Sequence, residues 1–124
     1  MNATQAKEQT AKQSQRLFHK YTRQGIRHIK RVIREAQKHG NSHATAYITN
    51  LSWENENVVH AVRKYLVDFL ESNGFYVRIY TFAEKMEIME PDEIYFAWGD
   101  DIERFREIDK IQEKMHKEKY NVHN

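Results

Sequence analysis

Between residues 16 and 39 apolar side chains return every three or four positions. Phe18, Tyr21, Ile29, Val32 and Ala36 share one helical stripe, and Ile26 and Ile33 widen it. Gly40-Asn41 supplies a helix stop. The period then changes. Residues 44–50 (ATAYITN) are short and rich in β-formers, which predicts a strand. Asn55 is a candidate N-cap for a second helix, whose broad apolar face holds Val58, Val59, Val62, Tyr65, Leu66, Phe69 and Leu70 and which ends at Ser72-Asn73-Gly74. Residues 75–82 (FYVRIYTF) are aromatic and β-branched throughout, the clearest strand in the chain. A charged connection over 83–91, closed by Pro91, leads to a third strand over 93–98 (EIYFAW). Asp100 with Glu103 resembles a capping box opening a last helix, in which Ile102, Phe105, Ile108, Ile111 and Met115 are apolar.

The predicted order is α-β-α-β-β-α, an α/β (α+β) domain with a long basic N-terminal helix. Strand, crossover helix and strand favour parallel pairing of the first two strands, with the third returning antiparallel to the second. This predicts a small three-stranded mixed sheet covered by helices. Such a sheet has open edges, so pairing between chains and a homo-oligomer are expected. Residues 16–120 form the single domain, and 1–15, rich in Gln, Ala and Lys, read as a flexible or partner-ordered N-terminal segment.

Charge changes the picture most. Residues 1–40 carry ten Lys or Arg against two acids, a net of +8, whereas 41–124 carry ten against sixteen, a net of −6. The formal net charge of +2 therefore conceals a basic end and an acidic end, an asymmetry that bears on association and not on fold. At 100° per residue, Arg16, Lys20, Arg23, Arg27, Lys30, Arg31, Arg34 and Lys38 fall within an arc of roughly 100°, opposite the apolar stripe. A solvated helix face ordinarily mixes signs. Here the i,i+4 neighbours 16/20, 23/27, 27/31, 30/34 and 34/38 are all like-charged. At ~0.2–0.5 kcal/mol per pair the isolated helix loses roughly 1–2.5 kcal/mol, less where salt screens it. Such a loss is expected where an anionic partner recovers it, and the eight residues form the candidate anion-binding site. Three partners qualify: nucleic acid, a phosphate-bearing nucleotide gripped by Arg forks with Tyr or Trp stacked on the base, or an acidic protein surface. The acidic half of another copy would serve as the third. No helix-turn-helix, zinc finger or RNP-like motif frames the helix.

Other constellations are weaker. Asp100-Asp101 at the end of a strand suits either a Mg²⁺ site of a metal-dependent nuclease or a helix cap with a favourable helix-end charge. His39 and His43 flank a glycine that breaks the helix needed to align them on a metal. Tyr76, Tyr80 and Phe82 form either a stacking platform or the second covered face of the sheet. Four scattered glycines make no phosphate loop, and neither Gly-x-Ser-x-Gly nor any cysteine is present. No enzyme and no cofactor are expected. No apolar run reaches the ~18 residues of a membrane span, and the first residues lack the apolar stretch of a signal peptide. A cytoplasmic protein with no membrane partner follows.

Residues 26–98 resemble a pattern found in many small accessory proteins of tailed bacteriophages. The carriers are Ala36-Gln37-Lys38-His39-Gly40 closing a helix, Gly74-Phe75-Tyr76-Val77 opening a strand, and Phe96-Ala97-Trp98 closing one, where the pattern usually has Ile-Ser-Trp. The resemblance implies a setting, the infected bacterial host cell, and a mode of action by binding: host takeover or anti-defence, or else a structural or assembly role in the virion. It assigns no functional residues.

Overall fold

The computed structural model describes residues 1–48, 56–80 and 92–121. The chain opens with a 36-residue helix, α1 (Ala3–Lys38). It starts well ahead of residue 16 because Asn2 and Gln5 form a reciprocal capping box: the Asn2 side chain accepts from the Gln5 N–H and the Gln5 side chain from the Asn2 N–H. Residues 3–15 have no apolar stripe to bury, and only Ala6 and Ser14 among them are even half-covered. The helix closes where Gly40 takes φ +72°, allowing the Asn41 N–H to reach the Ala36 carbonyl at 2.9 Å.

Strand β1 (His43–Ile48), helix α2 (Glu56–Ser72), strands β2 (Tyr76–Tyr80) and β3 (Asp92–Ala97), and helix α3 (Asp101–Asn121) complete the α+β domain, in the expected order. Gly74, at φ +85°, turns the end of α2 into β2 in the way Gly40 ends α1. The Asn55 cap, residues 49–50 and 81–82, and the connection closed by Pro91 lie outside the described residues.

Strand pairing corrects the expected mixed sheet. The order is β1-β3-β2, and β3 is antiparallel to both neighbours. β1 and β2 do run parallel, with α2 crossing between them, but one strand apart. A helix is ~10 Å wide and two strand spacings are about as wide, so the crossover spans a gap of one strand without strain. β3 fills that gap and makes both ladders antiparallel, whereas at the outside of the sheet it would leave a β1–β2 ladder that is parallel and slightly less stable per residue.

The register sorts the sheet into two faces. Ala44–Phe96–Val77 and Ala46–Ile94–Ile79 are cross-strand triplets on the face that packs against α1 and α2. Ile94 and Phe96 are fully buried there, with Ile29 from α1 and Val62 and Leu70 from α2. Tyr65, expected in that core, is 44% exposed and meets Phe18 edge-on instead. α3 crosses the other face. Ile102 and Phe105 are half-buried, but Ile108, Ile111 and Met115 on the same stripe are exposed. Tyr76 belongs to this second face: its hydroxyl donates to Asp109 of α3, and Arg78 donates to Asp109 and Gln112. The side chains of Tyr80 and Phe82 fall outside the described residues.

Candidate functional site: the exposed face of α1

Packing fixes the rotation of α1. Ile29 is 1% exposed and Thr22 7%, and Phe18, Tyr21, Ile26, Val32 and Ile33 lie against the core around them. At Gly25 the approach of α2 is so close that a Cβ would stand 2.7 Å from Leu66 Cδ1. With that side committed to the core, the opposite side faces solvent. All eight predicted cations, from Arg16 to Lys38, are exposed there on one continuous face. At 1.5 Å per residue the row is about 33 Å long. Arg16, Lys20, Arg23 and Arg27 frame one shallow open groove between turns, and Arg27, Lys30, Arg34 and Lys38 frame the next.

Little among the described residues offsets this charge. Lys38 sits 3.6 Å from Glu35, and the Lys20 ammonium lies over the Tyr21 ring at 5.5 Å. Among the described residues Lys20 and the remaining six have no acid within ion-pair distance. Three acids of the acidic half are engaged elsewhere: Asp109 by Tyr76 and Arg78, Glu103 by Arg106, and Asp101 by Ser42 and His43.

The Asp101 cluster has a sharp geometry. Its Oδ2 accepts from the Ser42 hydroxyl at 2.8 Å and the Ser42 N–H at 3.2 Å, and His43 Nδ1 lies 2.7 Å away. Its other oxygen faces Arg104 at 3.7 Å. The bonds from His43 and Ser42 hold the carboxyl down at about 2, against some opposing desolvation. The sequence of Asp100-Asp101 suits a cap or a cation site. The structure shows a third use, in which Asp101 fastens the start of α3 to the start of β1. Trp98 reinforces the join with an N–H bond of 2.8 Å to the Ser42 carbonyl. Among the described residues no three His, Asp or Glu side chains gather as a metal site would need. His39 pairs with Glu35 at 3.5 Å, apart from His43.

Sequence reasoning missed one element of the site region, a crevice of about 110 Å³ between α1, α2 and β1. Its floor includes Ile29, Val62 and Ile94, and Tyr21, His28 and Tyr47 form its rim. Burial, and then the nearby Arg31, push the His28 pKa down, which suits the acceptor role its Nε2 plays toward the Tyr47 N–H at 3.4 Å. No sequence spacing links His28 to Tyr47; only the docking of α1 on β1 does. The crevice falls short of the ~300 Å³ at which small-molecule pockets begin. None of the described helices is long and apolar enough to cross a membrane. No protein-family profile, curated protein or solved structure matches this chain.

Proposed function

We propose that this protein acts by binding, not catalysis, and that it engages an extended anionic partner along the exposed face of α1. The accompanying setting is the one implied by the phage-like sequence pattern: an accessory protein of the infected bacterial cell that interferes with host or defence function. One observation supports the reading above the rest. Eight cations stand in a solvent-exposed row, and all but Lys38 have no acid within ion-pair distance among the described residues. An open ridge of this kind meets a long partner better than a compact ligand, which needs a concave pocket to cover most of its surface.

Retention on a heparin column tests this directly. The triple variant Arg27→Glu/Arg31→Glu/Arg34→Glu is expected to elute at much lower salt than the wild type. A control with the same change in net charge on α3, Lys110→Glu/Lys114→Glu/Lys117→Glu, should elute close to the wild type. Equal losses in the two variants would mean that net charge, and not the α1 face, governs retention, and would refute the proposal.

A further inference from the structure

Resting on that reading, we infer that the anionic partner of α1 is the phosphate backbone of a nucleic-acid duplex, held without reading its sequence. The composition of the face separates this from an acidic protein. Protein–protein interfaces bury a core with aromatic and other apolar anchors, whereas nucleic-acid interfaces are more polar and far more positive. The exposed large apolar side chains among the described residues are Met1, Tyr47, Tyr65, Ile108, Ile111 and Met115, and none lies in the basic arc of α1. The arc offers cations and no anchor.

The identity and spacing of those cations point the same way. Five of the eight are arginines, whose planar forks match phosphate oxygens in pairs. They recur about once per helical turn, ~5.4 Å apart, along a straight line. A duplex carries a charge every ~1.7 Å of its axis, so it presents a dense, sequence-independent anionic surface to such a row. The helix also continues the face beyond the core: Gln9 and Lys12, exposed in the first part of α1, fall on the same arc and add donors suited to phosphate.

A duplex fits better than a single strand. Proteins that hold single strands supplement charge with aromatic rings on which bases stack. No Phe, Tyr or Trp lies in the arc. The exposed ring beside it, His19, is turned edge-on to Phe18 at 5.5 Å, and Tyr21 lies against the core.

The test is fluorescence anisotropy with labelled 30-base-pair DNA duplexes of two unrelated sequences, an RNA duplex of the same length, the corresponding single-stranded DNA, and labelled poly-glutamate. If about five phosphates are neutralised, log K falls against log salt with a slope of about −4.5, roughly a 500-fold loss between 50 and 200 mM. The two DNA sequences should bind alike, the single strand more weakly, and Arg27→Glu/Arg31→Glu/Arg34→Glu should abolish binding. Circular dichroism checks that variant, and Arg27→Gln/Arg31→Gln/Arg34→Gln, which adds no acid, should weaken binding and flatten the slope. Binding of the RNA duplex alone would still support the inference and assign it to RNA. A single strand bound as tightly as the duplexes overturns it. So does poly-glutamate bound while every duplex is not, a result that leaves the anion-binding reading standing. Failure to bind any of these polyanions, together with failure on heparin, removes both.

Discussion

A face built for a partner should be a burden to the free protein, and Arg27→Glu measures that burden. Arg27 has Arg23 and Arg31 four residues away on either side and Lys30 three residues on, all exposed and all of its own sign. Each such pair in a helix is worth ~0.2–0.5 kcal/mol, against the fold when like-charged and in its favour when opposite. Reversal at 27 therefore moves each pair by about twice that amount. The introduced carboxylate would also stand N-terminal to Arg31, the better orientation of the two. After allowing for solvent screening of exposed side chains, we expect the variant to gain about 1 kcal/mol at low ionic strength. For a domain of this size the gain raises Tm by about 3–5 °C. Thermal melts in 10 mM buffer should show it, and in 1 M NaCl, where the Debye length shrinks to about 3 Å, it should nearly vanish. A variant that loses binding while gaining stability has traded one for the other at the same residue. If Tm is unchanged or lower at low salt, the row is not self-repulsive and the argument that it awaits an anion loses its energetic basis.

Three further outcomes follow from the packing and the ion pairs. Gly25→Ala should fail to stabilise the wild type despite a helix-propensity gain of about 1 kcal/mol, because its methyl would stand 2.7 Å from Leu66 Cδ1. In a Leu66→Ala background, itself destabilised by about 2–5 kcal/mol, the same change should become stabilising, and urea titration of the four proteins reads the coupling. Asp101 titrates at about 2 in the fold, below its ordinary value of 3.8. The stability it contributes is present above pH 4 and lost as pH falls toward 2, so Asp101→Asn should flatten the dependence of the urea midpoint on pH in that window. Burial and then the bond to Asp109 raise the Tyr76 hydroxyl from 10 to about 12. Its contribution is complete below pH 10 and disappears as pH rises toward 12, and Tyr76→Phe should remove that alkaline loss.

Much of this fold was legible because local signals agreed with the tertiary outcome. The stripe through Ile29, the turns at Gly40 and Gly74, and the alternation through Ile94 and Phe96 each name their element without help. Pairing order was not legible in the same way. Parallel β1–β2 pairing and insertion of β3 between them use the same hydrophobic pattern, since either places Ala46, Ile79 and Ile94 toward the helices. The two orders differ only in which strands pair, and no side chain advertises that. The helix start at Ala3 was hidden for a different reason: a capping box fixes it, and apolar periodicity cannot report a segment that buries nothing. Asp101 reads from sequence as a helix-end acid. Its second role depends on Ser42 and His43, 59 and 58 residues away.

The candidate site belonged to the legible part, and the physical cause bears on what α1 is for. Polar residues that tie elements together, as Asp101 does, declare themselves only through their partners, so their roles wait on the tertiary structure. The α1 cations have almost none among the described residues, and their arrangement follows from helix geometry and the core-facing stripe alone. The two sides of α1 are therefore separable. Ile29, Thr22 and Gly25 meet the core, and changes there should disturb folding and binding together. The charges on the other side touch little, so changes there should leave the fold intact or improve it. A merely solvated face would contain acids at i,i+4 positions, because they stabilise the helix. Glu35, paired with Lys38 and His39, shows that this helix accommodates an acid in its last turns. From Arg16 to Arg34 the chain carries no Asp or Glu at all. Simple solubility does not require that run, and the polyanion proposed to lie along the helix would account for it.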